Sequence, residues 1–134
     1  MADSKTFRCS VVTPERVVLE AEARFAALPA HDGEIGILRD RAPLLVKLDV
    51  GRLRIETADE RHILYVEGGF AEMVDNRLTV LSEVARRPDE LERQAAEARL
   101  AEALAMTVRD DASLESRRRA VKGAKTQLQL LDQG

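Results

Sequence analysis

Side chains that could do chemistry are few and scattered in this sequence. The two histidines, His31 and His62, show no zinc-binding spacing to each other or to a cysteine, and a zinc site needs three or four ligands. The single cysteine, Cys9, can form no internal disulfide and alternates with Phe7 and Val11, which predicts a small buried side chain. No nucleophile elbow, P-loop, dinucleotide-binding or calcium-loop motif occurs. We therefore expect no catalytic residue, no metal and no cofactor.

Composition narrows the classes of partner. Of the 134 residues 45% are hydrophobic, which is enough for a core, whereas aromatic residues make up only 3% and leave little for stacking on bases. A net charge of −3 provides no basic field for a phosphate backbone, so nucleic acid is a poor candidate. No apolar run reaches membrane-spanning length and the N-terminus has no signal-peptide core. We expect a soluble chain that meets a membrane only through a partner.

The elements that position these residues change in period along the chain. Residues 17–25, 44–50 and 52–56 alternate apolar with polar side chains, the period of two of half-buried strands. Gly, Pro, Asp and Asn punctuate residues 6–86 at short intervals, and Asp75-Asn76 fits a tight hairpin turn. No helix-length crossover is available for parallel pairing. This pattern predicts an antiparallel β-sandwich or flattened barrel of eight to ten strands.

From Pro88 onward the sequence is helical in period and lacks glycine as far as residue 107. Asp89 and Glu92 resemble a capping box, and Pro88 at the first helical position is an equally good start. Asp110-Asp111 then offers a break and a new cap before a second helix. The apolar stripe of the second helix consists of Leu114, Val121, Ala124, Leu128 and Leu131.

Two helices of about 20 residues each, joined by a short connection, predict an antiparallel hairpin. The fold class is therefore α+β, with a β-sandwich domain over residues 1–86 and a helical hairpin over residues 87–134. Because alanine buries little area, packing stabilises the hairpin only slightly. We expect it to be weakly docked and able to move.

Charge is partitioned between the two helices. Residues 87–111 contain four basic and seven acidic side chains, a net charge of −3, and residues 112–134 contain five basic and two acidic ones, a net charge of +3. The helices could simply neutralise each other. Alternatively, the basic residues could meet an acidic partner surface when the hairpin opens. The five cations are Arg117, Arg118, Arg119, Lys122 and Lys125.

Several short segments together resemble one known family. They are V-V-T-P-E at 11–15, G-E-I-G-I-L at 33–38, R-A-P-L-L at 41–45, G-R-L-R-I at 51–55 and Y-V-E-G-G-F-A-E at 65–72. Each motif is weak alone, but their order and spacing are similar to those of the epsilon subunits of bacterial F-type ATP synthases. The resemblance covers essentially the whole chain and implies a β-sandwich followed by a helix hairpin.

The resemblance also implies a place in the central stalk of that complex, peripheral to the cytoplasmic side of a bacterial inner membrane. One edge of the sandwich would bind the gamma subunit and its base would rest on the c-ring, so that torque from proton flow reaches the catalytic head. The implied c-ring contacts are His31, Asp32, Glu34 and Arg41, the last standing where many relatives carry His. Glu34 could instead be only a solvent-exposed residue of a hairpin, with no partner contact.

In the family the hairpin can detach, extend along gamma and obstruct ATP hydrolysis, through basic residues that meet an acidic segment of the beta subunits in the alpha/beta head. By resemblance, the five cations of the second helix are the candidates. Some relatives bind ATP through a pattern [IL]-D-x-x-R-A, to which Glu90 and Arg93 correspond only in part, since Glu replaces Asp and Gln replaces Ala. An ATP-sensing module is thus the alternative, and a stand-alone β-sandwich enzyme, which needs a convergent polar pocket, is a third.

Overall fold

The computed structural model describes residues 5–133 and divides the chain into two compact units, separated between Ala85 and Arg86. Residues 7–86 form ten strands, which agrees with the eight to ten predicted. They are β1 (Phe7–Val12), β2 (Val17–Ala23), β3 (Phe25–Ala30), β4 (Gly33–Ile37), β5 (Leu44–Lys47), β6 (Val50–Glu56), β7 (Arg61–Glu67), β8 (Phe70–Val74), β9 (Arg77–Leu81) and β10 (Ala85–Arg86).

The strands form two five-stranded sheets that enclose the core. The first sheet has the order β2-β1-β9-β8-β5 and the second sheet has the order β10-β7-β6-β3-β4. Inward-facing positions alternate with outward-facing ones, as the period of two requires. The core is mainly aliphatic, as predicted, with Leu53, Ile55, Leu64, Leu78 and Val80 fully buried.

The strands pair antiparallel, as predicted, except at one place. Strand β1 runs parallel to β9, with Cys9 opposite Leu78 and Val11 opposite Val80. A parallel pair needs a long connection, and the sequence contains no helix that could supply it. The intervening strands of both sheets, residues 13–76, provide this connection instead.

Cys9 lies on the inner face of β1 and has no exposed surface. Burial raises the pKa of its thiol to about 12, and the nearby charge of Arg8 opposes this shift. Because the thiolate is the reactive form, this side chain behaves as a small core hydrophobe at neutral pH, as its position in the sequence predicts.

The predicted tight hairpin at Asp75-Asn76 is confirmed. Both residues have positive φ, 50° and 58°, and the flanking residues Val74 and Arg77 are paired across β8 and β9. Two consecutive positive-φ residues between paired strands are typical of a type I′ turn, whose twist matches that of the strands.

The second unit begins with a short 3-10 turn (Pro88–Glu90), followed by α1 (Arg93–Ala105) and α2 (Asp111–Gln133). The prediction of a first helix of about 20 residues is wrong, since α1 has 13. Leu91 and Glu92 adopt extended backbone and separate the 3-10 turn from α1. Neither predicted start opens α1, which begins at Arg93: Pro88 instead begins the 3-10 turn, where Glu90 accepts a hydrogen bond from the Arg87 N–H at 3.0 Å.

The two helices form an antiparallel hairpin. At its closed end Arg117 donates to the carbonyl oxygen of Leu104, and at its open end Arg93 pairs with Asp132. The predicted apolar stripe of α2 is only partly buried: Ala124 is buried, Leu114 is exposed, and Gly123, Thr126, Gln127 and Leu130 are buried outside it. In α1 the buried residues are two alanines, Ala96 and Ala103.

The predicted new cap before α2 is confirmed. The Asp110 carboxylate accepts from the Ser113 backbone N–H at 2.8 Å, while the Ser113 hydroxyl oxygen accepts from the Asp110 N–H at 3.0 Å. This reciprocal pair satisfies donors that would otherwise lack partners at the helix start. Hydrogen bonding to Ser113, mainly to its backbone, lowers the pKa of Asp110.

We predict that Gly69→Ala destabilises the sandwich far more than Gly33→Ala. Both glycines have positive φ, +102° and +123°, so both substitutions introduce backbone strain of about 1–3 kcal/mol. At Gly69, however, an added Cβ would lie 1.9 Å from the Leu81 carbonyl oxygen, whereas nothing lies within 4 Å at Gly33. Urea unfolding of the two variants measures the difference, and equal losses would contradict this account of the β7–β8 connection.

We predict that Asp110→Ala frays the first turn of α2, whereas Asp111→Ala, which leaves the cap intact, does not. Because the pKa of Asp110 is lowered on folding, the cap stabilises the helix above the unfolded pKa of the carboxyl. Its contribution is lost as pH falls through the lower, folded value. Amide exchange of residues 112–115, followed with pH, measures this, and identical protection in both variants would refute the assignment.

Candidate functional site

Three inter-strand connections lie together at one end of the sandwich, which we call the His31 end. The two-residue turn His31-Asp32 joins β3 to β4. The carbonyl oxygen of Pro29, just before this turn, accepts from the Asp49 N–H at 2.9 Å, so the β5–β6 connection lies beside it. The neighbouring Leu48 N–H donates to the Gly69 carbonyl oxygen at 2.8 Å, which brings the β7–β8 connection to the same end.

The structure brings three of the four candidate c-ring residues together at the His31 end. His31 and Asp32 form the exposed turn itself, and Glu34 is an exposed residue of β4 opposite Pro29. Gly33 closes the turn with φ +123°, a conformation that strongly favours glycine. A short turn between paired strands holds these polar side chains with little backbone freedom.

Arg41, the fourth candidate, lies elsewhere. It follows β4, whose five residues span roughly 17 Å at about 3.3 Å each. The preceding residues contact the opposite end of the sandwich, since Arg39 donates to the Thr6 carbonyl oxygen and Asp40 exchanges hydrogen bonds with Asn76. A flat partner surface that contacts the His31 turn therefore cannot also contact Arg41, which lies toward the opposite end of the sandwich.

A feature that the sequence analysis missed is an apolar row across the outer face of the first sheet. It consists of Val17, Val12, Leu81 and Phe70, which are neighbours in register from β2 through β1 and β9 to β8. Val17, Leu81 and Phe70 are 54%, 52% and 52% exposed. Large apolar side chains exposed side by side mark interaction surfaces more often than isolated ones do.

The apolar row lies at the His31 end and is bordered on one side by a polar row. Phe70 directly follows Gly69 of the β7–β8 connection, and a groove of about 470 Å³ runs between this connection and the β1–β2 turn. One step along the strands, the outward positions across β1, β9 and β8 are Ser10, Thr79 and Glu72. The signal was present in the sequence as outward alternation in β8 and β9, but the row exists only because β1 lies beside β9.

Four of the five candidate inhibitory cations share one face of α2. Arg117, Arg118, Lys122 and Lys125 line a groove of about 560 Å³ together with Leu114, Val121, Thr126 and Gln129. These positions recur every three or four residues, which places them on one side of a helix. We call Arg117, Arg118, Lys122 and Lys125 the basic ridge.

Arg119, the fifth candidate, is exposed and lies outside this groove. Consecutive helical residues point about 100° apart, so three adjacent arginines cannot share one face. Within the basic ridge, Arg118 pairs with Glu115 at 2.6 Å, and Arg117 donates to the Leu104 carbonyl oxygen at 3.4 Å. Within the ridge, Arg117 thus contacts α1, whereas Arg118 pairs with a residue of its own helix.

The two candidate ATP residues both have partners within the chain. Glu90 accepts from the Arg87 N–H, and Arg93 pairs with Asp132 at 2.6 Å. The extended residues Leu91 and Glu92 separate them, so Glu90 and Arg93 do not follow each other on one helix. This arrangement engages Arg93 in the hairpin and gives no support to a nucleotide site there.

Within residues 5–133 no three side chains of His, Cys, Asp or Glu are grouped as a metal site would require. Across the same residues, no helix has the length and apolarity needed to cross a membrane.

Comparison with known proteins gives one consistent result. The sequence model of the ATP synthase delta/epsilon chain beta-sandwich domain matches residues 6–88. An ATP synthase epsilon chain of Rhodopirellula baltica is 42% identical over 123 residues, which cover 92% of this chain and 96% of that one. The epsilon chain of Desulforamulus reducens is 41% identical over 95 residues, 71% of this chain and 72% of that one.

Solved structures show the same fold at lower identity. A chain of the Euglena gracilis mitochondrial ATP synthase, OSCP/F1/c-ring, has a TM-score of 0.82 and 18% identity, covering 98% of this chain and 84% of that one. A chain of the Tetrahymena thermophila mitochondrial ATP synthase central stalk/c-ring has a TM-score of 0.67 and 13% identity, covering 92% and 95%.

Proposed function

This chain belongs to the delta/epsilon chain family of ATP synthase, and from that premise we propose that it couples rotation of the c-ring to ATP synthesis in the catalytic head. It acts without chemistry of its own, as a joint between the c-ring and the gamma subunit. Its site of action is the cytoplasmic side of a bacterial inner membrane, to which the c-ring attaches it. The hairpin adds a second role, inhibition of ATP hydrolysis.

The observation that carries this proposal is the apolar row of Val17, Val12, Leu81 and Phe70. A joint that transmits torque must resist shear, so its contacts belong on a rigid sheet. The row spans four adjacent strands of the first sheet, whose inner faces are fixed by the core. Burying side chains that are half exposed in this chain stabilises the complex by the hydrophobic effect. The gamma subunit is the partner that we assign to this row.

The His31 turn is the surface that we assign to the c-ring. His31, Asp32 and Glu34 are exposed and polar, which suits contact with polar loops. They lie at the same end of the sandwich as the apolar row. One rigid end thus offers an apolar surface to the shaft and a polar surface to the ring. Arg41, at the other end, is left without a role in this contact.

The basic ridge is the surface that we assign to inhibition. Its four cations would meet an acidic segment of the beta subunits when the hairpin extends toward the alpha/beta head. Opening the folded hairpin costs little free energy, because many of its buried residues are small and bury little apolar area: Ala96, Ala103, Gly123 and Ala124. A shift between the two states requires only a few kcal/mol of difference in contact energy.

We predict that the double substitution Phe70→Glu with Leu81→Glu weakens binding to gamma about 30-fold or more, the effect of losing one central hot spot. Both side chains are about half exposed, so the fold should persist, as circular dichroism can check. Thr79→Glu, on the same face of β9 and one step away, is the matched control. Titration of purified gamma measures the affinity. Unchanged binding by the double variant would contradict the assignment of this row.

We predict that replacing all four residues of the basic ridge with Ala raises the ATPase activity of the assembled head, whereas Arg119→Ala leaves it unchanged. Removing Arg117 also loosens the folded hairpin, because its guanidinium donates to the Leu104 carbonyl oxygen of α1. Loosening alone would favour extension and stronger inhibition, so a rise in activity reports the lost contact. Equal activity of the ridge variant and the parent would overturn the proposed inhibition.

A further inference from the structure

The hairpin has one closed and one open end. At the closed end the helices are joined by residues 106–110 and fixed by the Asp110–Ser113 cap. At the open end lie the first residue of α1, Arg93, and the second-last residue of α2, Asp132. Separation of the two helices must therefore begin at the open end.

An ion pair closes this open end. Arg93 Nη2 lies 2.6 Å from Asp132 Oδ1, with side chains that are 49% and 67% exposed. The residues are 39 apart in sequence, so their contact exists only while α1 and α2 remain side by side. The distance is that of a charge-assisted hydrogen bond.

The placement of both charges is unfavourable for each helix alone. The helix dipole favours anions near the N-terminus and cations near the C-terminus. Here a cation begins α1, directly after the N-cap carboxylate Glu92, and an anion lies in the last turn of α2, which contains no basic side chain. In the antiparallel hairpin these two misplaced charges lie together. Opening the hairpin would leave each charge without its partner, in an unfavourable interaction with the dipole of its own helix.

We propose that the Arg93–Asp132 pair is an electrostatic latch that holds the hairpin closed and so keeps the basic ridge from the catalytic head. The latch itself follows from the geometry of the hairpin; its effect on ATP hydrolysis rests on the function proposed above. Exposed pairs are weak, and this one shifts the ratio of open to closed hairpin by about two- to fivefold. Because little area is buried in the hairpin, such a shift changes the open population measurably.

The first test measures the opening of the isolated full-length chain. Glu97→Cys and Gln129→Cys place labels on exposed positions one turn inside the latch, and the buried Cys9 stays unlabelled. Double electron–electron resonance should show one short distance in the parent. Asp132→Asn should raise the long-distance population about two- to fivefold, and Arg93→Asp should raise it further by repulsion from Asp132.

The charge-swapped variant, Arg93→Asp with Asp132→Arg, provides the rescue. It restores an opposite pair at the same positions and should close the hairpin more than either single substitution. Glu102→Gln removes an exposed carboxylate of α1 outside the latch and should leave the distances as in the parent. Raising NaCl from low to high concentration should open the parent hairpin more than it opens Asp132→Asn, in which only the remaining charges of the two helices are screened.

The latch is overturned if Asp132→Asn leaves the distances unchanged or if the swap fails to restore closure. A second arm separates this result from the function of the hairpin. In assembled heads, Asp132→Asn should lower ATPase activity by extending the inhibitory state. If the isolated chain opens but ATPase activity does not change, the latch stands and the proposed inhibition by the hairpin fails.

Discussion

The pairing of β1 with β9 determines the surface on which the proposed coupling depends. This parallel contact joins the β1–β2 hairpin to β9 and β8 and makes the first sheet continuous. It fixes the register in which Val12 lies beside Leu81, so that Val17 and Phe70 extend the row on either side. A shift of one residue in β1 would turn Phe7, Cys9 and Val11 outward and remove Val12 from the row. The same register that buries the core therefore builds the apolar surface.

The second unit, unlike the sandwich, buries few large apolar side chains. Its buried residues are mostly small, and its cations occupy one exposed face of α2. Polar interactions lie at its two ends, the Asp110–Ser113 cap before α2 and the Arg93–Asp132 pair between the helices, and hydrophobic burial between them is slight. A sandwich with a dense aliphatic core and a hairpin held by few contacts differ in how readily they change shape. This difference is what a rotor joint with a movable regulator requires.

Local patterns in the sequence predicted most of the fold. Alternation identified the strands, and Asp75-Asn76 and Asp110 identified a turn and a cap whose chemistry depends on neighbouring residues alone. The errors involve long-range pairing or competition between local states. Nothing near β1 indicates that β9 is its parallel neighbour, and helix propensity did not reveal that Leu91 and Glu92 are extended. The predicted apolar stripe of α2 is only partly buried, because the helical period alone does not indicate which side of a helix with few large residues faces its neighbour.

The candidate surfaces divide in the same way. His31, Asp32 and Glu34, which are close in sequence, also lie together in the structure. The length of β4 separates Arg41 from them, and the helical rotation of about 100° per residue places Arg119 outside the groove of the basic ridge. The apolar row and the Arg93–Asp132 pair join residues distant in sequence, and neither could be found without the register of the sheet and the antiparallel hairpin.

The central claim is that the sandwich carries the rotor contacts and the hairpin carries only regulation. Comparing residues 1–86 with the full chain in heads reconstituted with gamma tests it most directly. We expect the shortened chain to bind gamma with unchanged affinity and the heads that contain it to hydrolyse ATP faster than those with the full chain. Loss of gamma binding on removal of residues 87–134, with the sandwich still folded, would contradict the account.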